Sequence, residues 1–289
     1  MQPGWRIAIV SMVQPVVERL VPVLRDLGHD PVGVVTARID RTSELVLSHE
    51  TVPPGLDLLF AADKWRMEPL LRSLEPDLLV CWGFAWKLPQ AALDVPRLGA
   101  INLPPALLPR HRGPIPLAWA LLEGDGRFGL TWHRMDAELD TGGILAQSSI
   151  PIEDDDCEIT EIGPKLGAEA FRLLPRVLER VAAGDPGDEQ DHAAATWAGH
   201  FEDDDYARVD WSWPARRIHD QVRAWHVTMG LSPVVAPVAE LDGEPVRLVR
   251  TSLVEREGAR RVECGDGPLW VVASEPVSSE SSVTPRPRG

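Results

Sequence analysis

"WRIAIVSMVQPVVERLVPVLRDLGHDPVGVVTA", residues 5–37, decides the class of fold. Residues 5–13 are an almost unbroken apolar run, the pattern of a strand covered on both faces. Residues 16–28 then repeat apolar side chains at helical spacing and stop at Gly28, a residue suited to the left-handed turn that closes a helix. "PVGVVTA" (31–37) returns to a strand pattern. A strand, a helix and a second strand in so short a stretch predict a βαβ unit, whose two strands lie parallel.

Working outward, the alternation continues. "KWRMEPLLRSLEP" (64–76) predicts a helix, "DLLVCWGF" (77–84) and "GAINL" (99–103) strands, and "PIPLAWALLEGD" (114–125) a helix closing near Gly124. "GLTWHRM" (129–135) and "AQSSIPIE" (146–153) read as strands, and 161–184 as a long helix with Pro164 near its start. Residues 38–63 are irregular and read as a loop. The fold class is therefore α/β, a mostly parallel sheet wrapped on both faces, with ligands expected beyond the carboxyl ends of the strands. No GxGxxG follows the first strand, which argues against a dinucleotide site.

Residues 1–184 are read as this first domain. Residues 185–200, rich in Gly, Asp, Gln and Ala, are read as a linker running over the surface. From 201 to 275 the pattern changes to an amphipathic helix (213–225) and short strands joined by "DG" turns, a small β-rich domain. Residues 276–289 have the composition of a disordered tail.

The 289 residues carry a formal net charge of −15, with 44% hydrophobic and 25% charged residues. That is globular composition, and its sign argues against general attraction to nucleic acid or an anionic membrane. Cys81, Cys157 and Cys264 are far apart and lack metal-ligand spacing, so reduced thiols and no metal are expected. Without a leader pattern or a long apolar run, a cytoplasmic location is expected. The two "EDDD" stretches (153–156 and 202–205) lack the spaced ligands and Gly of a calcium loop, and read as solvated charge. The eleven tryptophans are scattered and read as packing residues.

Chemistry concentrates in "GAINLPPALLPRHRGPIPLAWALLEGD" (99–125) and "TWHRMDAELDTGGILAQ" (131–147). The first puts Asn102 at a strand end and follows it with "LLPRHRG" (107–113). The second puts Asp140 in a Gly-containing loop just after a strand that contains His133. Together these segments resemble the formyltransferase family that uses 10-formyltetrahydrofolate, in particular its methionyl-tRNA and sugar-amine branch. That family has Asn-x-His at a strand end, a "SLLP" segment, a basic-aromatic-basic-Gly turn, a helix and a "D-x-x-[LM]-D-T-G" loop. "PDLLVCWGFAWKLPQAALDVPRLG" (76–99) is similar to its strand and folate-binding loop, and "ATWAGHFEDDDYARVDWSWPARRIHDQVRAW" (195–225) to the start of its C-terminal domain.

The resemblance implies a Rossmann-like N-terminal domain and an OB-like C-terminal one. It makes Asn102 a donor to the oxygen on which charge develops, and Asp140 the carboxylate that orients the catalytic site and helps relay protons. Trp86, Leu88, Asp136 and Asp140 fall at positions implied for the folate. Arg110, His111 and Arg112 fall at positions implied for the acceptor, where the arginines would hold a phosphate or carboxylate; a structural role for them stays open.

One position departs. Where the family has its histidine this chain has Pro104, which has no titratable group and no N–H. Three readings stay open. His133 could substitute, since strand alternation sends Trp132 and His133 to opposite faces. The acceptor could be an amine of low pKa, such as a hydroxylamine, a hydrazine or an aminoacyl ester, that needs no base. Or the chain could bind folate or another carrier without this transfer. Arg38 and Arg41 do not make the basic insertion of the methionyl-tRNA enzymes, and 200–210 is acidic, which disfavours tRNA. The expected function is N-formyl transfer from 10-formyltetrahydrofolate to a small-molecule amine. The alternatives are a methionyl-tRNA formyltransferase-like enzyme, a formyl-folate hydrolase or other acyl transferase, and a catalytically degenerate folate-binding protein. A homodimer is left open.

Overall fold

A computed structural model describes residues 4–37, 47, 52–201, 204–228 and 236–277. Arg38, Arg41, the start of the second "EDDD" and residues 278–289 of the expected tail lie outside the described residues. Two compact units are formed. The first comprises Met1–Pro116, Arg127–Pro151 and Gly163–Ala198; the second comprises Leu117–Gly126, Ile152–Ile162 and Gly199–Gly289.

The first unit begins with the βαβ expected from 5–37: β1 (Arg6–Val10), α1 (Gln14–Asp26) and β2 (Asp30–Ala37), with β1 and β2 parallel. The buried residues of α1 are Val17, Leu20, Val21 and Leu24, the spacing of one helical face. Next come β3 (Asp57–Ala61), α2 (Met67–Leu74), β4 (Leu78–Cys81), α3 (Gln90–Leu93) and β5 (Ala100–Asn102). β6 (Arg127–Arg134), β7 (Ile144–Pro151) and most of the long α5 (Ile159–Ala182) complete this unit, while α4 (Pro116–Leu122) falls, from Leu117, in the second. Sheet order is β3-β2-β1-β4-β5-β6-β7, parallel through β5 and antiparallel at β6 and β7.

β3 lies in the stretch the sequence reads as a loop. Its five residues, "DLLFA", sit at the sheet edge, where Phe60 stays exposed, so neither alternation nor a long apolar run marks them. On one sheet face Ala8, Val10, Val35, Leu79 and Cys81 pack with Met67, Leu71 and Leu74 of α2 and with Ala92 and Leu93 of α3. On the other, Trp132 meets Trp82 edge-on at 5.8 Å and its indole N–H donates to the Ala170 carbonyl of α5 at 3.1 Å.

The second unit holds α6 (Ala215–Val227), β8 (Val238–Leu241), β9 (Glu244–Ser252), β10 (Arg260–Cys264) and β11 (Gly267–Pro276). Its described strands form an antiparallel sheet of order β10-β11-β9-β8. The Asp242–Gly243 turn has both residues at positive φ (56° and 80°), the geometry of a tight hairpin. At the other expected turn the central residues are Gly265 and Asp266, and the Asp266 carboxylate accepts the Ala215 N–H at the head of α6, at 2.7 Å.

The first "EDDD" is held by α6 within this unit. Arg223 donates to the Glu153 carbonyl at 2.7 Å, Asp154 pairs with Arg216 at 2.6 Å and Asp155 with Arg256 at 2.5 Å. His219 is 1% exposed and satisfied as a neutral ring, with Nε2 2.9 Å from the Asp154 carbonyl and Nδ1 2.9 Å from the Thr251 hydroxyl. Burial pushes its pKa from 6.5 down to about 4. The unfolded chain therefore binds a proton between those values that the folded chain does not. Stability contributed by the neutral ring is complete above pH 6.5 and lost as pH falls toward 4, by about 3 kcal/mol. Asp220, raised by burial, acts in the opposite sense, so the comparison needed is between the wild type and His219→Gln. Denaturant midpoints measured from pH 7 to pH 4 should fall less steeply in the variant; equal slopes would remove His219 as the cause.

Candidate active site

Three strands converge at the site. Asn102, last residue of β5, is in register with Cys81 at the end of parallel β4 and with His133 on antiparallel β6. Strand alternation puts Trp132 into the core and turns His133 to the opposite face. After β6 the chain folds back on itself: Arg134 N–H bonds the Gly143 carbonyl at 2.9 Å. A Cβ on Gly142 would come within 1.9 Å of the Arg134 oxygen, so only glycine permits this approach. The tight return delivers Asp140, itself in the left-handed region at φ 57°.

Asn102 Nδ2, His133 Nε2 and Asp140 Oδ1 form a nearly equilateral triangle with sides of 3.3, 3.3 and 3.5 Å. His133 Nδ1 lies 2.6 Å from the Arg134 carbonyl. A carbonyl only accepts, so Nδ1 carries a proton, and Nε2 is the ring nitrogen that faces Asn102 and Asp140. Seen from the amide nitrogen, the two acceptors subtend only about half the angle between its N–H bonds. Both acceptors therefore lie on the N–H side of the amide, within reach of its two hydrogens. The other carboxylate oxygen of Asp140 accepts the Gly113 N–H at 3.1 Å. His133 and Asp140 are 2% and 5% exposed, whereas Asn102 is only half-buried and is the member of the triangle with most access to solvent. Cys81 lies beneath, its thiol pushed up to about 12 by burial and then by the Asp140 charge, and is chemically inert.

Pro104 is buried, and its carbonyl accepts the Thr131 N–H at 3.2 Å. His133 reaches this strand end from β6, the neighbour of β5 in the sheet.

The loop 83–89 borders the same end of the sheet. Phe84 and Trp86 meet edge-on at 5.5 Å and, with Met135, pack on the core cluster that contains Leu88. Leu88 is only 2% exposed, so it supports the loop from below and Trp86 is its half-buried aromatic face. Among the described residues no main-chain bond engages Ala85, Trp86 or Lys87. Lys87 pairs with Glu138 at 2.9 Å, which ties this loop to the one carrying Asp140. Asp136 is exposed; its Oδ1 accepts from the Glu138 N–H (2.9 Å) and the Thr141 hydroxyl (2.6 Å), shaping the turn.

The acceptor candidates are not brought together as a group. Arg112 is buried and its guanidinium is engaged by Gln190 Oε1 (2.6 Å) and His192 Nδ1 (3.0 Å). His111, at φ 57° and 3% exposed, has its N–H on the Thr196 hydroxyl at 2.8 Å. Half-buried Arg110 reaches the His111 ring at 3.4 Å.

Gln190 escaped notice in the sequence because its surroundings look like a linker. It is 4% exposed, and its amide donates to the Asp140 and Gly142 carbonyls at 3.0 and 2.7 Å. The run of Gly and Asp around it signals a solvated loop, and no local pattern marks a side chain that bonds residues fifty positions away.

A doubly covered sheet with an asparagine, an aspartate and an imidazole gathered past its strand ends defines an α/β group-transfer scaffold. Comparison with known proteins takes this further. Residues 46–178 match the family model described as Formyl transferase. A methionyl-tRNA formyltransferase from Pelobacter propionicus is 31% identical over 237 residues, covering 78% of this chain and 72% of that protein. One from Pseudomonas fluorescens is 39% identical over 196 residues, covering 65% of this chain and 57% of that protein, so the match spans less than two thirds of the relative. An N-formyltransferase from Helicobacter canadensis, solved with folinic acid and dTDP-3-aminofucose, superposes with a TM-score of 0.69 at 15% identity, covering 93% of this chain and 99% of the other. The chain belongs to the formyl transferase family.

Proposed function

We propose that this protein transfers a formyl group from 10-formyltetrahydrofolate to a small-molecule amine, with His133 in place of the family's absent histidine. The observation that supports it most is the Asn102–His133–Asp140 triangle, since it assembles an oxyanion donor, a lone pair and a carboxylate at one strand end. Fit to the folate rests on the loop 83–89: the Trp86 ring and the unengaged main chain of 85–87 match an aromatic ring edged with donors and acceptors. The co-substrate supplies an electrophilic carbonyl carbon bonded to a nitrogen leaving group. Asn102 turns an amide N–H to the carbonyl oxygen as charge grows there. The Asp140 carboxylate, held by Gly113 N–H, and the His133 Nε2 receive the proton that the attacking amine gives up, and return it to the departing nitrogen.

A small acceptor is favoured by the pairing of the basic side chains in the second unit. Arg216, Arg247, Arg250, Arg256, Arg260 and Arg261 each face a carboxylate of the same unit, which leaves them less able to hold phosphates. The methionyl-tRNA reading is kept as a rival because relatives carrying that name cover most of the chain. The two separate in one assay. Release of tetrahydrofolate should be seen with nucleotide-linked amino sugars or hydroxylamines as acceptors and not with methionyl-tRNA. Turnover with methionyl-tRNA alone would overturn the small-acceptor assignment, and release without any acceptor would mark a hydrolase.

A further inference from the structure

We infer that Gln190 is a positioning residue, a buried amide that fixes the Asp140 carboxylate by clamping the backbone on which it sits. The inference rests on the proposed role of Asp140 but is built from contacts that do not depend on it. Residues 188–198 form a strap across two loops of the first unit. At one end, Asp188 exchanges backbone bonds with Ile144 in both directions, each 2.8 Å. At the other, Arg112 N–H bonds the Thr196 carbonyl at 3.0 Å and Ala198 N–H bonds the Arg112 carbonyl at 2.7 Å. The strap is thereby stapled both to the Gly113 loop and to the return after Asp140.

Gln190 sits between the staples and uses both ends of its amide. The two Nε2 hydrogens are divided between the Asp140 and Gly142 carbonyls, while Oε1 receives Arg112 Nε and Nη2 at 3.2 and 2.6 Å. Arg112 has no acceptor of its own, so its two donors fix which end of the Gln190 amide is oxygen and force the NH₂ toward the Asp140 loop. That matters because Asp140 is at φ 57°, a left-handed conformation less favourable for an L residue than for glycine. With the Asp140 carbonyl pinned, the side chain is directed to Gly113 N–H on one oxygen and to Asn102 and His133 on the other. Three segments remote in sequence, 110–113, 136–143 and 188–198, are thus coupled through one neutral side chain.

The test reads the position of Asp140 directly. In the full-length protein Gly113 N–H bonds Asp140 Oδ2, so its hydrogen-exchange rate by NMR reports whether the carboxylate is in place. Gln190→Leu, which removes both ends of the clamp, should speed Gly113 exchange by about tenfold, the loss of one hydrogen bond. Gln190→Glu, which keeps the contact to Arg112 and turns the donor end into an acceptor, should do the same. In formyl transfer both variants should lose about 10²-fold in kcat with KM for folate unchanged, the mark of a misplaced group, not a lost binding contact. Unchanged Gly113 exchange in a folded Gln190 variant overturns the inference even if activity falls. Should neither variant fold, the side-chain NH₂ of Gln190 in the wild type decides: exchange as fast as a surface glutamine's overturns the clamp, and strong protection supports it. If the wild type transfers no formyl group to any acceptor, the functional reading fails while the exchange experiments still stand.

Discussion

His133→Phe should lower kcat for formyl transfer by about 10²–10⁴-fold, the usual worth of general acid–base help, and leave folate affinity unchanged. The expectation follows from the orientation of the ring. The Arg134 carbonyl fixes the proton on Nδ1 and so leaves Nε2 as the only basic nitrogen on the side of Asn102 and Asp140. A phenylalanine fills the same space without that lone pair, so loss of turnover with retained binding isolates the chemistry from the packing. His133→Asn distinguishes the two roles the ring could have. It supplies an acceptor for the Asn102 amide but no imidazole, so it should remain slow. Retention of full activity by His133→Phe would remove His133 from the proton transfer. On the proposed role of His133, the companion variant Pro104→His should give no gain, and Pro104 is packed within the fold.

Asn102→Ala should cost about 10²–10³-fold in kcat, equivalent to about 2.7–4 kcal/mol of lost oxyanion stabilisation. Asn102 is the half-buried corner of the triangle, and its amide nitrogen is 3.3 Å from both His133 Nε2 and Asp140 Oδ1. Truncation also strips that amide from Asp140 and His133. The double variant Asn102→Ala/Asp140→Asn should therefore fall by much less than the product of the single losses, as residues acting as a unit do. Stopped-flow or steady-state measurement of tetrahydrofolate release checks both values. Independent, multiplicative losses would separate Asn102 from the carboxylate, and full activity in both single variants would remove the proposed machinery altogether.

The legible part of this chain is the part governed by local periodicity. β1, α1 and β2 were marked by unbroken apolar runs and helical spacing, and Gly28 by the end of its helix. Asn102 and Asp140 stood out because each lies at a strand end within a dense motif. His133 was legible only as a candidate: alternation gave its face, and the pairing of β5 with β6 supplied the partner. β3 was lost because an edge strand of five residues buries too little to leave a pattern. Arg112 had two open readings, ligand contact and structural charge. Its charge suggested a ligand for an acidic group, yet the fold spends that charge on Gln190 and His192.

The sequence by itself determined the parallel α/β sheet, the family, and the asparagine and aspartate at its carboxyl edge, because these follow from repeats and motifs a few residues long. Only the tertiary structure decided that β6 brings His133 beside Asn102 and Asp140, and that a stretch with the composition of a linker bonds the Asp140 loop. Both depend on which strands and segments become neighbours, and hydrogen bonds between residues 31 and 50 positions apart leave no trace in local spacing.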